Sequence, residues 1–435
     1  MKGILRGTLR SGLAGALLAA ALFLIPAAGY SQTWRGLELE RLMRVAPWHF
    51  GPFIIQPSLV IANAGVDSNL FYTPSNPIKD FTLTAGPAAT FYVPILRAGS
   101  VPSPPGGQAI SRRPLVLTFY GSPQYVWYSK TQRERTWNYY FRGSAQLDLK
   151  NAFFSVDGVY SDARERYSTE IDIRPRRKEL GYGGSALLKL GWKTSFAMGY
   201  RTVKYNYESI DYGGFNLRER LNRQESYANL SLYYQAAEDR RFFIDLEYGR
   251  YNFEFATESA LRDAESGAVF GGLEFSRLGR RIRGRLRLGY KKFDPLRAGT
   301  PEYQGLVGDT LLSFRLAKML SLRGSYLRDV QFSIWFGDAY YIETRPGVGA
   351  SLYPLPFLRL DYDYSRGQNR YPVAGGGGAG VTRLDRYDIH SGALYYRIMK
   401  NTALGFVVSW WARTSNIPGE GDQRTFYGLN LTYDF

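Results

Sequence analysis

Arginine occupies every second position from Arg281 through Arg283, Arg285 and Arg287. Alternate side chains of an extended strand share a face, so this segment predicts a column of four guanidiniums. Ile282, Gly284, Leu286, Leu288 and Tyr290 fall on the opposite face. Arg142, Lys189, Arg201, Arg315, Arg323 and Arg359 take the same parity in other alternating segments. Arginine stays charged at any working pH and presents a rigid fork of donors. Rings of such cations inside a low-dielectric wall are a device of anion pores. The alternative is equally physical: these cations pair with acids of the same face, such as Asp148, Asp245, Glu247 and Glu274, and staple the wall. Arg281 and Arg283 also stand near one end of their segment, at a rim rather than inside a bore.

Other chemistries find few residues. The chain has two histidines and no cysteine. His390 is followed directly by Ser391, which an extended strand points to the opposite face, so the pair cannot act as base and nucleophile. His49 stands far from it in sequence, beside Trp48. Two distant histidines without thiolates make no zinc site. Asp67-Ser-Asn69 lacks the spacing of a calcium loop. The run Gly375 to Gly380 leads into no Lys-Ser/Thr and is slack in a loop rather than a phosphate cradle. Asp361 and Asp363 lie on one face among basic neighbours and are a weak acid–base pair. No catalytic, cofactor-binding or metal-binding residue is expected, and no cofactor.

The elements that carry the arginines all alternate with period two. The clearest is the last, where Tyr427, Leu429, Leu431, Tyr433 and Phe435 oppose Gly428, Asn430, Thr432 and Asp434. It ends on an aromatic residue, as the C-terminal assembly signals of outer-membrane barrels do. Charges confined to one parity are what a lipid-facing wall demands, and only helices and closed barrels satisfy every backbone group within lipid. Strands are predicted over 54–65, 81–93, 114–129, 137–149, 152–165, 178–190, 194–207, 223–235, 241–255, 266–277, 281–293, 304–316, 319–333, 339–353, 357–369, 384–398, 402–414 and 422–435. The fold class is all-β: a transmembrane antiparallel up-and-down barrel of about 18 strands, within a range of 16–18. Short turns alternate with long polar connections, as periplasmic turns alternate with external loops. Both termini are then periplasmic. The connection 94–113 is the exception, long where a short turn is due. A soluble propeller would repeat a blade motif every ~40 residues, and none appears.

Lys2, Arg6 and Arg10 precede an apolar run from Leu13 to Ile25, the pattern of a secretory signal peptide. The expected division is a signal peptide over 1–31, a periplasmic segment over 32–50 with a short helix, and a barrel over 51–435. Leu37, Leu39, Leu42, Met43 and Val45 mark that helix. The chain carries 34 Tyr, 26 Phe and 8 Trp at a mean hydropathy of -0.29, which suits half-wet strands with aromatic girdles. Its net charge of +17 suggests an anionic partner, and export makes nucleic acid an improbable one.

Three stretches carry a resemblance. They are Pro57-Ser-Leu-Val-Ile-Ala-Asn-Ala-Gly-Val-Asp-Ser-Asn-Leu-Phe71, Asp80-Phe-Thr-Leu-Thr-Ala-Gly-Pro87 and Gly289-Tyr-Lys-Lys-Phe-Asp-Pro-Leu296. With them the chain resembles the putative β-barrel porin family of bacterial outer membranes, associated with exopolysaccharide export. The resemblance implies a monomeric channel without cofactor and brings no catalytic residues. The expected function is an outer-membrane channel for anionic or hydroxyl-rich solutes, foremost a secreted exopolysaccharide. An anion-preferring uptake porin and a structural or adhesion barrel with a plugged bore remain the alternatives. Expected partners are outer-membrane lipid and lipopolysaccharide, the barrel-assembly machinery and periplasmic polysaccharide-export proteins.

Overall fold

The computed structural model describes residues 42–43, 46–95, 100–101, 110–111, 115–149, 151–237, 239–275, 281–335, 338–372 and 382–435. The proposed signal peptide and most of the segment after it lie outside the described residues.

Eighteen antiparallel strands pair in sequence order, and the last returns to the first. They are β1 (Phe53–Asp67), β2 (Asp80–Pro94), β3 (Leu115–Tyr128), β4 (Thr136–Asp148), β5 (Ala152–Arg164), β6 (Arg176–Lys189), β7 (Thr194–Tyr207), β8 (Arg223–Ala237) and β9 (Arg240–Phe253). The ring continues with β10 (Ala264–Phe275), β11 (Ile282–Pro295), β12 (Tyr303–Arg315), β13 (Leu320–Phe332), β14 (Tyr340–Leu355), β15 (Leu358–Arg370), β16 (Leu384–Met399), β17 (Thr402–Ser415) and β18 (Asp422–Asp434). Every predicted strand is present, and each boundary falls within two residues of its expected place. No helix among the described residues is long and apolar enough to cross a membrane.

The outer wall follows from the alternation. Leu320, Leu352, Leu360, Leu394 and Phe406 form one continuous lateral row, set by the registers of β13 to β17. Such rows offer lipid an apolar surface, while Arg359, Asp361 and their like turn inward. The terminal strand β18 does the same: Tyr427, Leu429 and Phe435 are exposed on the wall, and Leu431 and Tyr433 keep their outward parity. The Phe435 amide donates to the Pro57 carbonyl at 3.2 Å, and its ring stands 6.1 Å from Trp48.

The three stretches that carried the resemblance are structural devices. Where β1 meets β18 the register slips between Ile61 and Ala64, and Asn63 adopts φ 54°. The Asn430 side chain accepts from the Asn63 amide at 2.8 Å and so stabilises that bulge. A Cβ on Gly65 would stand 2.1 Å from the Tyr427 carbonyl oxygen, so only glycine lets the seam close. Asp67 takes both arms of Arg424, at 2.9 and 2.7 Å. Asp80 accepts from the amides of Ser129, Lys130 and Thr131 and fixes the next turn. Lys291 and Phe293 turn into the lumen, where Phe293 joins a core with Tyr251, Phe270 and Tyr340.

The strand ends divide the barrel into a short-turn rim and a long-loop rim. Both the start of β1 and the end of β18 lie at the short-turn rim. There Met43 and Ala46 pack with Ile54, Tyr92 and Val116 inside the wall. In the long connection after β2, the Ile95 amide donates to the Leu115 carbonyl at 2.9 Å, Ser100–Val101 and Ile110–Ser111 form a two-stranded ribbon, and the rest lies outside the described residues.

A charge on the apolar row should be costly. Leu360→Arg is expected to lower barrel stability by roughly 2–4 kcal/mol, measured by reversible unfolding into lipid vesicles. Arg359→Leu, by contrast, leaves the lipid face unchanged. A silent Leu360→Arg would mean the facing of β15 is inverted.

Candidate functional site

The long connection between β5 and β6, residues 165–175, does not stay outside. It carries Tyr167, Ile171 and Ile173 among polar residues, an apolar content that a solvated loop would not bury. These side chains join a core at the long-loop end with Tyr205, Tyr207, Leu217, Leu221 and Ile334. Two short helices of neighbouring connections, α1 (Leu217–Leu221) and α2 (Ala256–Arg262), support it, linked by an Arg220–Glu258 pair at 2.9 Å.

A backbone placed inside a bore must find partners for its polar groups. Glu170, 1 % exposed, accepts from the Ser333 hydroxyl at 2.8 Å, the Ile334 amide at 2.9 Å and the Tyr371 hydroxyl at 2.8 Å. Asn369 donates to the Thr169 hydroxyl at 2.8 Å, and Arg413 to the Thr169 carbonyl at 2.6 Å. The Arg166 guanidinium lies 3.9 Å from the Tyr72 ring centre and bonds its own segment through the carbonyls of Thr169 and Ile171. Tyr72 itself holds φ 59°, a conformation bulky residues rarely adopt. The partners of Thr169 and Glu170 belong to β13, β15, β17 and the connections beside them, across the ring from β5. Segment 165–175 therefore spans the bore and is latched on the far wall.

Beneath the latch lies a cavity of about 710 Å³. Its lining alternates tyrosines with paired charges. Arg177 bonds Glu179 at 2.9 Å and lies 3.7 Å from the Tyr167 ring centre. Arg223 bonds Glu225 at 2.7 Å, and Tyr227 donates to the same carboxylate at 2.8 Å. Lys291 reaches Asp329 at 2.7 Å. Eight carboxylates and six arginines line the space, so its formal charge is slightly negative.

The cations expected to line a pathway take different places. Arg285 bonds Asp245 at 2.5 Å. Arg287 bonds Asp245 at 3.3 Å and Glu247 at 3.0 Å, with its guanidinium 3.4 Å from the Phe270 ring centre. Arg323 grips Asp363 two-armed, Nε donating to Oδ1 at 3.1 Å and Nη2 to Oδ2 at 2.8 Å, and Arg359 meets Asp361 at 2.9 Å. Arg201 lines the cavity. Arg142, Lys189 and Arg315 hold inward parity but remain solvent-exposed. Arg283 is half-buried near the short-turn rim, and Arg281 is exposed in the turn before β11. His390 is on the outer wall, its Nδ1 2.8 Å from the Tyr362 hydroxyl, and Ser391 faces away from it. No group of three or more metal-ligating side chains occurs among the described residues.

A family model described as putative beta-barrel porin 2 matches residues 112–435. The chain belongs to that family. It is an integral outer-membrane protein of the porin type. Solved structures with a similar fold include OpdK of Pseudomonas aeruginosa with vanillate, at 9 % identity and TM-score 0.48 over 88 % of this chain and 98 % of that one. OccAB4 of Acinetobacter baumannii matches at 12 % identity and TM-score 0.46, over 88 % and 98 % of the two chains. No curated protein matches in sequence.

The latch contains a titrating group. Asp338, in the connection after β13, is buried with one carboxylate oxygen unpartnered. Burial, and then the charge of Glu170, push its pKa up to about 6, against the pull of Arg383. Burial likewise raises Glu170. A folded-state pKa above the unfolded one means that the folded latch binds the proton first, so its stability rises as pH falls from above about 6 toward 4. Hydrogen exchange of 165–175 and 333–335, corrected for intrinsic rates, should show greater protection near pH 5 than near pH 7. Asp338→Asn should flatten that difference. Equal protection at both pH values in the wild type would contradict the assignment.

Proposed function

We propose that this porin is a channel for small hydroxyl-rich solutes, with the long-loop rim facing the exterior and segment 165–175 as its selectivity constriction. The observation that carries the reading is the latch of Glu170 and Thr169 across the bore. A polymer threading the barrel would have to break those buried contacts, so the geometry favours small-solute uptake over secretion of an exopolysaccharide. The cavity below suits a sugar or polyol. Tyrosine faces can stack on a ring, and phenols, guanidiniums and carboxylates offer donors and acceptors at short range.

The charge pattern speaks to selectivity. Arg285, Arg287, Arg323 and Arg359 each meet a carboxylate in the wall, and an ion already paired contributes little net field. Arg142 and Arg315, toward the solvent, are the positions from which a residual anion attraction would come. The bore thus recognises by hydrogen bonding and stacking more than by net charge.

Liposome swelling with reconstituted protein distinguishes the possibilities. Neutral hexoses and polyols should enter faster than gluconate of matching size, and the reversal potential in a salt gradient should sit near zero. Removing the latch contacts with Glu170→Ala should raise single-channel conductance. Strong anion preference that collapses in an Arg142→Gln, Arg315→Gln variant would replace this reading with an anion porin. No permeation by the wild type or by the latch variant would mean a closed, structural barrel.

A further inference from the structure

The outer wall carries a charge cluster that the channel does not use. On β15 the outward positions run Leu360, Tyr362, Tyr364, Arg366, Gln368 and Arg370, and on β16 Arg386 stands opposite Gln368. Arg386 is therefore diagonal to both Arg366 and Arg370, about 7–8 Å away along the sheet. All three are exposed. Arg366 has a distant partner, Asp388 at 3.9 Å, which already accepts from the Tyr364 hydroxyl at 2.8 Å. Arg370 and Arg386 make no ion pair among the described residues, and the connection 371–383 contains no carboxylate. Inside the barrel arginines are mostly matched by acids. Here three like charges share one face with a single carboxylate, Asp388, which the Tyr364 hydroxyl already engages.

Their height identifies what would neutralise them. Leu358 starts β15 at the short-turn rim, where Phe357 and Tyr396 pack edge to face at 5.6 Å. Eight residues of rise bring Arg366 to about 26 Å along the strand, or ~20 Å along the membrane normal at a tilt of ~40°. Arg370 is then near ~30 Å. An apolar band of ~25 Å ends between the two. Below them Trp410, Tyr364 and His390 form an aromatic cluster, with centroid distances of 5.1 Å and 4.7 Å from the His390 ring. Leu360, Leu394 and Phe406 follow further down. The wall thus presents cations at headgroup level above a surface fit for acyl chains.

We propose that Arg366, Arg370 and Arg386 bind the phosphorylated headgroup of an outer-leaflet glycolipid whose acyl chains lie along β15 to β17. Guanidiniums match phosphate oxygens two-armed and lose little in replacing water there. The proposal rests on the orientation above, with the long-loop rim outward, and not on what the bore transports. The site would fix the barrel to its leaflet and cap the like-charge repulsion of the triad.

Native mass spectrometry of the folded full chain in detergent gives the test, with bisphosphorylated lipid A as probe. The wild type should retain one lipid A, and the Arg366→Gln, Arg370→Gln, Arg386→Gln variant should bind more than about tenfold more weakly. Arg323→Gln, in the lumen, removes one charge as Arg386→Gln alone does, and should bind as the wild type does while Arg386→Gln binds more weakly. Heat-modifiable mobility confirms folding, and Arg386→Gln alone is the fallback if the triple variant does not assemble. Dephosphorylated lipid A should bind no better than the triple variant binds the intact lipid. Equal retention by wild type and triple variant would overturn the site. So would displacement by millimolar inorganic phosphate, which would mark a simple anion patch. Lipid binding that persists in a barrel without conductance would overturn the channel reading and leave this one standing.

Discussion

Everything in this molecule depends on one requirement: no backbone amide or carbonyl can be left unpaired in lipid. The pairing of β1 with β18 meets it, and several sequence details exist to make that pairing work. The bulge at Asn63, the bare backbone of Gly65 and the outward aromatic and aliphatic face of the last strand all act at this seam. Once the ring closes, parity is fixed for every strand. Apolar residues face lipid, and the polar set is confined to an interior where buried charges are matched.

That confinement explains the arginines. The Arg323 staple shows how pairing is achieved over a distance. Arg323, Gly349 and Asp363 stand side by side on three successive strands, and a Cβ on Gly349 would come within 2.0 Å of the Asp363 carboxylate. The glycine clears a path over β14 for the ion pair. Gly272 lies between Phe243 and Arg287, where a Cβ would come within 2.2 Å of the Phe243 ring, and that ring in turn carries the Arg285 guanidinium at 4.2 Å. Such staples resist shear of the sheet while the bore keeps a mosaic of donors and acceptors. The same economy of pairing governs segment 165–175, whose Glu170 is buried only because three donors converge on it.

The wall was legible in the sequence because a half-wet strand writes its facing into every second residue, from Arg281 to Tyr290 as from Tyr427 to Phe435. Turn lengths supplied the rest of the topology. The pairing of Arg287 with Glu247 was not legible. It joins residues 40 apart across an intervening strand, and depends on register and on the Phe270 ring under the guanidinium. The latch was hidden for a different reason. A long polar connection looks alike whether it points out or folds in, and only Tyr167, Ile171 and Ile173 hinted that this one had something to bury. Its anchors, Ser333, Asn369, Tyr371 and Arg413, are scattered over the last third of the chain.

The absence of cysteine makes the central claim directly measurable. The side chains of Thr169 and Asn369 meet at 2.8 Å across the bore. A double variant, Thr169→Cys with Asn369→Cys, is the only thiol pair in the chain, and oxidation should join it by a disulfide without loss of folded barrel. Mass shift after alkylation and the mobility of the heat-denatured chain both report the link. Near-complete crosslinking in membranes is the expected result. Two thiols that stay free and both react with a membrane-impermeant maleimide would show that segment 165–175 does not cross the bore.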